Sequence, residues 1–310
     1  MDKDKIEIKP KFIERYSSLT DWEPFKEYSL MYLRRSIRVN TLKITVNELK
    51  KRLEKDWSLT SIPWCKEGFW IKNIKTGRRD IGNLPEHSLG YYYVQEAVSM
   101  IPPLVLDPKP GSKVLDMCAS PGSKASQIAA MMKNKGILVA NDYKTLRMKP
   151  LSMNLQRCGV TNAVTTLMEG RWFKESFDKI LVDAPCSGTG TIRKSLKTLR
   201  IWNPDMIRRL SAQQKQLISK GFECLKENGT MVYSTCSLEP EEDEAVIDFL
   251  LNKHENAKLE EIKIDIKRGK PVTEFNGNTY NPEVKKCLRI WPQDNDTEGF
   301  FIAKIVKSER

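Results

Sequence analysis

The 310-residue chain predicts an α/β fold: a mostly parallel sheet covered on both faces, preceded by a small α+β domain. Three observations lead there. From residue 112 onward, apolar strand-like runs alternate with helix-like segments, as in parallel strands joined by crossover helices. Several of these runs end in small or polar residues, where ligands bind in such sheets. The first hundred residues lack the alternation and hold short mixed pieces instead. The division therefore falls at 1–100 and 101–310.

In the first region "SIRVNTLK" reads as a strand, "TVNELKKRLEK" as a helix opened by Thr45, and "GFWIKN" as another strand. The second region opens with "SKVLDMCA", an apolar run ending in small residues, then a helix "SKASQIAAMMKN" stopped by Gly136. "ILVANDY" is a second strand, followed by the helix "LRMKPLSMNLQRCG", in which Pro150 lies near the start or kinks it. "AVTTLME" and "FDKILVDAP" are a third and a fourth strand. A long helical stretch, "PDMIRRLSAQQKQLISKGFECLKENG", leads to a fifth, "GTMVYSTCS". The helix "EEDEAVIDFLLNK" and the strands "CLRIWPQ" and "GFFIAKIV" complete the chain.

Composition narrows the class. Hydrophobic residues at 40% and charged residues at 30% are ordinary for a soluble globular protein. No apolar run approaches the roughly 20 residues of a membrane span, and "MDKDKIEIKPKF" lacks the apolar core of a signal peptide, so a cytoplasmic location without membrane association is expected. Seven cysteines without a CxxC pair, and only two histidines, argue against a disulfide framework or a metal site. Any special cysteine is then special for its reactivity. The net charge of +12 suggests a polyanionic partner. Basic residues cluster in "TIRKSLKTLRIWNPDMIRR" and around Lys72, Lys75, Arg78 and Arg79, whereas acids collect in "EPEEDE". That segregation points to a directed basic surface.

The strand ends carry the chemistry. In "DMCASPGSKAS" the small residues Ala119, Ser120, Gly122 and Ser123 let a ligand approach the backbone ahead of a helix N-terminus, although a tight turn alone would look similar. The loop is not GxGxxG, which disfavours a dinucleotide. Eighteen residues after Lys124 the second strand ends at Asp142, placed either to bind ribose hydroxyls or to cap the next helix. Loop and acid together imply a nucleoside-containing cofactor, and S-adenosyl-L-methionine suits them better than NAD. Asp183 and Cys186 share a turn after strand four, and Cys236 ends strand five. Both thiols can face one crevice. A thiolate adding to carbon 6 of cytosine turns carbon 5 into a nucleophile, and a nearby acid stabilises the adduct. A second thiol helps remove the carbon-5 proton or release the adduct.

These residues resemble the Sun/NSUN family of RNA (cytosine-5)-methyltransferases, most of all its archaeal tRNA-modifying members. The resemblance rests on "DMCASPGSK", "ILVDAPCSGTGTIRK", "STCSLEPEEDE" and "TEGFFIAK" in this order, and runs from residue 36 to residue 304. It implies a Rossmann-like class I methyltransferase domain behind an RRM-like region. It implies that the backbone of Cys118, Ala119, Ser120, Pro121, Gly122, Ser123 and Lys124 lines the cofactor site, with Asp142 on the ribose and Arg147 nearby. It makes Cys236 the nucleophile, Cys186 the residue that assists release, and Asp183 the acid between methionine moiety and cytosine. Where many members carry Asp near the adenine, this chain has Glu169; "CASPGSK" stands for the commoner "CAAPGGK", and Asp243 for an Asn of peripheral role.

The resemblance also implies that Arg38, Asn40 and Gln95 lie close to the catalytic cleft, with plain packing between the domains as the equal alternative. Trp202, with Arg193 and Lys194 before it, is expected to cradle RNA by charge and stacking. A DNA cytosine-5 methyltransferase would use Cys186 as nucleophile and lacks the "STCS" cysteine, so DNA is not the expected substrate. A non-catalytic RNA-binding protein would have lost Cys236, Asp183 or the "SPGSK" loop. The expected working form is a monomer acting on RNA, most of all tRNA, open to a protein partner that modulates specificity.

Overall fold

The computed structural model describes residues 7–309. Two helices, α1 (Pro10–Leu19) and α2 (Trp22–Leu30), come first. A βαββαβ unit follows: β1 (Ser36–Val39), α3 (Val46–Leu53), β2 (Trp57–Ile62), β3 (Cys65–Asn73), the single turn α4 (Pro85–Ser88) and β4 (Tyr92–Val94). Its antiparallel sheet has the order β2-β3-β1-β4, the split βαβ arrangement of RRM domains. Helix α3 starts where the sequence predicts, because Thr45 and Glu48 form a reciprocal capping box. Phe69 and Ile71 of β3 enter the small core with Ile37, Val39, Leu49 and Leu53. By the pleat, Trp70 and Lys72 turn to the opposite face.

After α5 (Ile101–Leu106) the larger sheet is built from β5 (Lys113–Asp116), α6 (Ser123–Met131), β6 (Ile137–Asp142), α7 (Thr145–Arg157), β7 (Ala163–Leu167) and β8 (Phe177–Asp183). Next come α8 (Lys197–Ile201), α9 (Pro204–Glu223), β9 (Leu225–Thr235), α10 (Glu244–Lys253), β10 (Ala257–Glu260) and the hairpin β11 (Glu274–Phe275) and β12 (Asn278–Thr279). The chain closes with β13 (Leu288–Ile290), α11 (Pro292–Asn295) and β14 (Phe300–Lys307). The sheet order is β10-β14-β9-β8-β5-β6-β7, with β13 also on β14. Strands β5 to β9 are parallel, and β14 runs antiparallel beside β9. The order reverses between β5 and β8, which opens a crevice at their carboxyl ends. Side chains alternate across the sheet: Leu181 joins the core under α5 and α6, while Ile180 and Val182 join the core under α9 and α10.

Three features depart from the sequence reading. The stretch after Pro204 is helical only to Glu223. Strand β9 already begins at Leu225, and its pairing with β8 jumps from Phe177–Leu225 to Lys179–Thr230. Lys226–Gly229 therefore loops out of the ladder, with Asn228 at φ 59°, so the polar run and glycine that resembled a helix end are a bulge. Pro150 sits in the interior of α7 rather than near its start. And α1 and α2 pack on Trp202, Leu238 and Trp291 of the large domain, not on the small sheet. Among the described residues, no helix is long and apolar enough to cross a membrane.

Candidate active site

Strands β8 and β9 are adjacent and parallel, with Asp183 level with Ser234, so the turns that follow them leave the sheet side by side. The Sγ atoms of Cys186 and Cys236 are 3.3 Å apart, both half-buried at the crevice. Backbone bonds hold the turns together: Ala184 N–H donates to the Ser234 carbonyl (2.9 Å) and Gly190 N–H to the Cys236 carbonyl (2.9 Å). Gly190 has no room for a side chain; a Cβ would lie 2.2 Å from the Gly299 carbonyl oxygen and 2.8 Å from that of Cys236.

Glu242 locks the pair from behind. Its carboxylate accepts from Ser187 N–H (3.0 Å), Ser237 Oγ (2.6 Å) and Gln214 Nε2 (2.9 Å), and also from Ser187 Oγ. Ser187 and Ser237 each follow one of the two cysteines, so one carboxylate fixes both turns. Of the acids that collect in "EPEEDE", Glu239, Glu242, Asp243 and Glu244 are fully buried, so they do not form a surface patch. Asp243 and Glu244 pair with the fully buried Arg289, and Glu239 accepts from Tyr16 Oη and Trp202 Nε1.

In front of the thiols, Lys124 Nζ donates to Asp183 Oδ2 (2.8 Å), and Ser234 Oγ donates to Asp183 Oδ1 (2.7 Å). Burial disfavours the Lys124 ammonium, but the charges of Asp183, Cys236 and Asp116 outweigh it and raise its pKa. The hydrogen bond to Cys236, with burial added, pushes the Cys186 thiol well up. Cys186 therefore keeps its proton.

The loop of residues 118–124 turns at Gly122 (φ 99°), which caps α6 in a conformation that suits glycine. Arg147 staples it to α7: Arg147 Nη2 donates to the Ser120 carbonyl (2.6 Å), and Ser120 Oγ donates to the Arg147 carbonyl (2.8 Å). Asp142 is buried; Oδ1 accepts from Lys144 N–H (3.1 Å), whereas Oδ2 lacks a hydrogen-bond partner and lies 3.4 Å from Arg147 Nε. A cavity of about 230 Å³ opens between the ends of β5, β6, β7 and β8, lined by Met117, Cys118, Tyr143, Glu169, Pro185 and Leu217. The unpartnered carboxylate oxygen of Asp142 and a cavity that reaches from Cys118 to Glu169 fit the nucleoside of S-adenosyl-L-methionine. Glu169 lies on the cavity rim, paired with Arg171 at 2.6 Å. Asp116, which the motif analysis passed over although it ends β5, is buried with neither oxygen hydrogen-bonded. Burial and the neighbouring Asp183 push it up to about 7.

Five residues expected at the RNA surface are elsewhere. Arg38 is buried, donating to Gln95 Oε1 (2.8 Å) and Ser126 Oγ (2.9 Å). Gln95 in turn donates to Gln127 Oε1 (3.0 Å), and Asn40 bonds the carbonyls of Gly90 and Cys158 (2.8 Å each). These three join the small sheet to α6 and α7. The Arg193 side chain is 1% exposed and held by Asp296 and the carbonyls of Tyr32 and Thr297. Trp202 is buried among α1 and α2, so its ring offers no stacking face. Lys194 is exposed. No sequence signal separated these buried polar residues from surface ones, because their partners lie up to 193 positions away.

A doubly wound sheet with a nucleoside-sized cavity at its switch point defines a Rossmann-like methyltransferase, here with two thiols at the next strand ends. Residues 103–306 match the family described as 16S rRNA methyltransferase RsmB/F, and residues 8–97 match the N-terminal domain of 16S rRNA methyltransferase RsmF. The chain belongs to the RsmB/F (Sun) family. It is 49% identical over 304 residues to a tRNA (cytosine(49)-C(5))-methyltransferase of Pyrococcus abyssi, covering 97% of this chain and 96% of that protein. It is 45% identical over 284 residues to the ribosomal RNA small subunit methyltransferase F of Aliivibrio salmonicida, covering 89% of this chain but 58% of the relative's length. A solved methyltransferase homolog from Pyrococcus horikoshii superposes with a TM-score of 0.86 at 39% identity, over 99% of this chain and 98% of that one.

Proposed function

We propose that this enzyme methylates carbon 5 of cytosine in RNA, with tRNA as the substrate and S-adenosyl-L-methionine as the methyl donor. The observation that carries the reading is the pair of thiols 3.3 Å apart beside the Lys124–Asp183 ion pair. The cofactor, bound along residues 118–124 with Asp142 toward its ribose, supplies an electrophilic methyl group. Cys236, reacting as its thiolate, forms a bond to carbon 6 of the ring. The electron pair of the 5,6 double bond is then available at carbon 5 for the methyl group. Asp183, held by Lys124 and Ser234, receives hydrogen bonds from the ring edge and stabilises the adduct. Once the methyl group is in place, the carbon-5 proton leaves to a base, the carbon–sulfur bond breaks and Cys236 departs as thiolate. Cys186 stands against Cys236, keeps its proton and donates a hydrogen bond to that leaving thiolate.

The tRNA reading is supported by the full-length relative from Pyrococcus abyssi. The ribosomal reading has its own support in the bacterial relatives named methyltransferase F, of whose length this chain spans 58–64%. Incubation of the purified protein with labelled methyl donor, and with tRNA or small-subunit RNA, decides between them. Label recovered as 5-methylcytidine in tRNA is the expected result. Label confined to ribosomal RNA overturns the tRNA assignment, and label in neither overturns the reading.

A further inference from the structure

The small sheet carries, at its β2–β3 edge, a groove that neither the fold nor the catalytic scheme uses. It is a cavity of about 470 Å³, bounded by β2, β3 and the segment joining α2 to β1. Trp70 and Lys72, the β3 residues turned away from the small core, form its floor. Tyr32, Arg34, Arg35 and Arg79 form its walls. No carboxylate lines it, and among the described residues none pairs with Arg35, Lys72 or Arg79. Two guanidinium groups lie over aromatic rings: Arg34 Cζ is 3.9 Å from the Trp70 centroid and Arg79 Cζ 4.8 Å from that of Tyr32. Tyr32 is 75% exposed, so nothing in the folded chain accounts for an aromatic ring there.

The groove is also tied to the thiols. Arg34 bonds the Asn295 carbonyl (2.7 Å) and the Asp296 carboxylate (2.8 Å), and Arg193 anchors the Tyr32 carbonyl to the same segment. Three residues on, Gly299 N–H donates to the Gly190 carbonyl (2.8 Å), and Gly190 is bonded to Cys236.

Resting on the proposed function, we infer that this groove binds an unpaired stretch of the substrate RNA flanking the target cytosine. Excess cations hold the phosphates, and the ring and guanidinium planes stack unpaired bases. A duplex presents phosphates but hides the base faces, so aromatic rings would add nothing to its binding. The segment 295–299, to which Arg34 of the groove wall is bonded, ends at the catalytic turn, so a strand seated in the groove leads toward Cys236.

The test uses the full chain with two variants, the triple substitution Arg35→Ala/Lys72→Ala/Arg79→Ala and the single substitution Tyr32→Ala. Binding is measured to tRNA, to a short unstructured oligoribonucleotide and to the same sequence as a duplex; binding of S-adenosyl-L-methionine reports that the fold is intact. The triple variant is expected to lose about tenfold or more in RNA affinity, to lower the salt slope by about one per removed cation and to raise KM for tRNA more than it lowers kcat. Tyr32→Ala is expected to weaken binding of the unpaired strand severalfold but not of the duplex, with Tyr32→Phe restoring it. Unchanged RNA affinity and KM in variants that still bind the cofactor overturn the inference. So does equal loss on unpaired and duplex RNA, or displacement by polyglutamate as effective as by the oligoribonucleotide. If the wild-type chain binds RNA through the groove yet methylates none, the proposed function fails while the groove stands.

Discussion

Cys186 and Cys236 lie 3.3 Å apart, but their surroundings differ. Cys236 faces the Lys124 ammonium, whereas Cys186 is raised by its hydrogen bond to Cys236 and by burial. Asp116 makes a second residue-scale prediction. Its carboxyl holds a proton in the folded chain up to about pH 7, while an unfolded Asp releases it near pH 4. A raised carboxyl favours the protonated form on folding, so this contribution is present below about pH 4 and is lost as pH rises toward 7. Asp116→Asn should therefore flatten the stability–pH curve across that window, by an amount on the order of a few kcal/mol, measured by urea unfolding at pH 5 and 7.5 without cofactor. An unchanged slope would contradict the assignment. The strand-end positions of the thiols, Asp183, the loop and Asp142 were legible in the sequence because apolar runs that stop at small residues, acids or cysteines mark where strands end. Glu242 was not, because its work depends on Ser187 and Gln214, which come from other elements.

Elements position these residues through a few points where there is no slack. Gly190 joins the turn after β8 to the end of β9 and the start of β14, and an added methyl group would collide with two backbone carbonyls. Gly190→Ala should shift the Cys186 turn and lower kcat by about 10- to 100-fold, with cofactor affinity reduced far less; wild-type kcat in the variant would show that the turn tolerates the shift. Arg289 of β13 neutralises Asp243 and Glu244 at the head of α10. Arg289→Met leaves two buried acids without a counter-charge and should cost about 3–5 kcal/mol in chemical denaturation. A loss below about 1 kcal/mol would mean that the acids take up protons without penalty. Element existence and order were readable from the alternation of strands and helices. Element ends were less so: the Lys226–Gly229 bulge carries the same polar and glycine signal as a helix end, and only pairing with β8 distinguishes them.

At the scale of the molecule, burial sorts the charge. The sequence suggested a basic surface balanced by an acidic patch, but the acids of that patch are interior, so the outer surface is more cationic than +12 alone conveys. Binding to tRNA should weaken on the order of 10³-fold between about 50 and 200 mM salt if about six phosphates are contacted. A flat response would remove charge as the main attraction. The buried Arg38, Asn40 and Gln95 tie the small sheet to α6 and α7, which a linear sequence could not distinguish from an RNA surface. Those ties fix the small domain's groove relative to the thiols on which the account turns. The most direct measurement of their roles compares Cys236→Ala and Cys186→Ala, each incubated with tRNA and labelled methyl donor and then run on denaturing gels. The account predicts no transfer and no adduct for Cys236→Ala, and a covalent protein–RNA adduct that accumulates for Cys186→Ala. An adduct formed by Cys236→Ala, or full methylation by both variants, would contradict it.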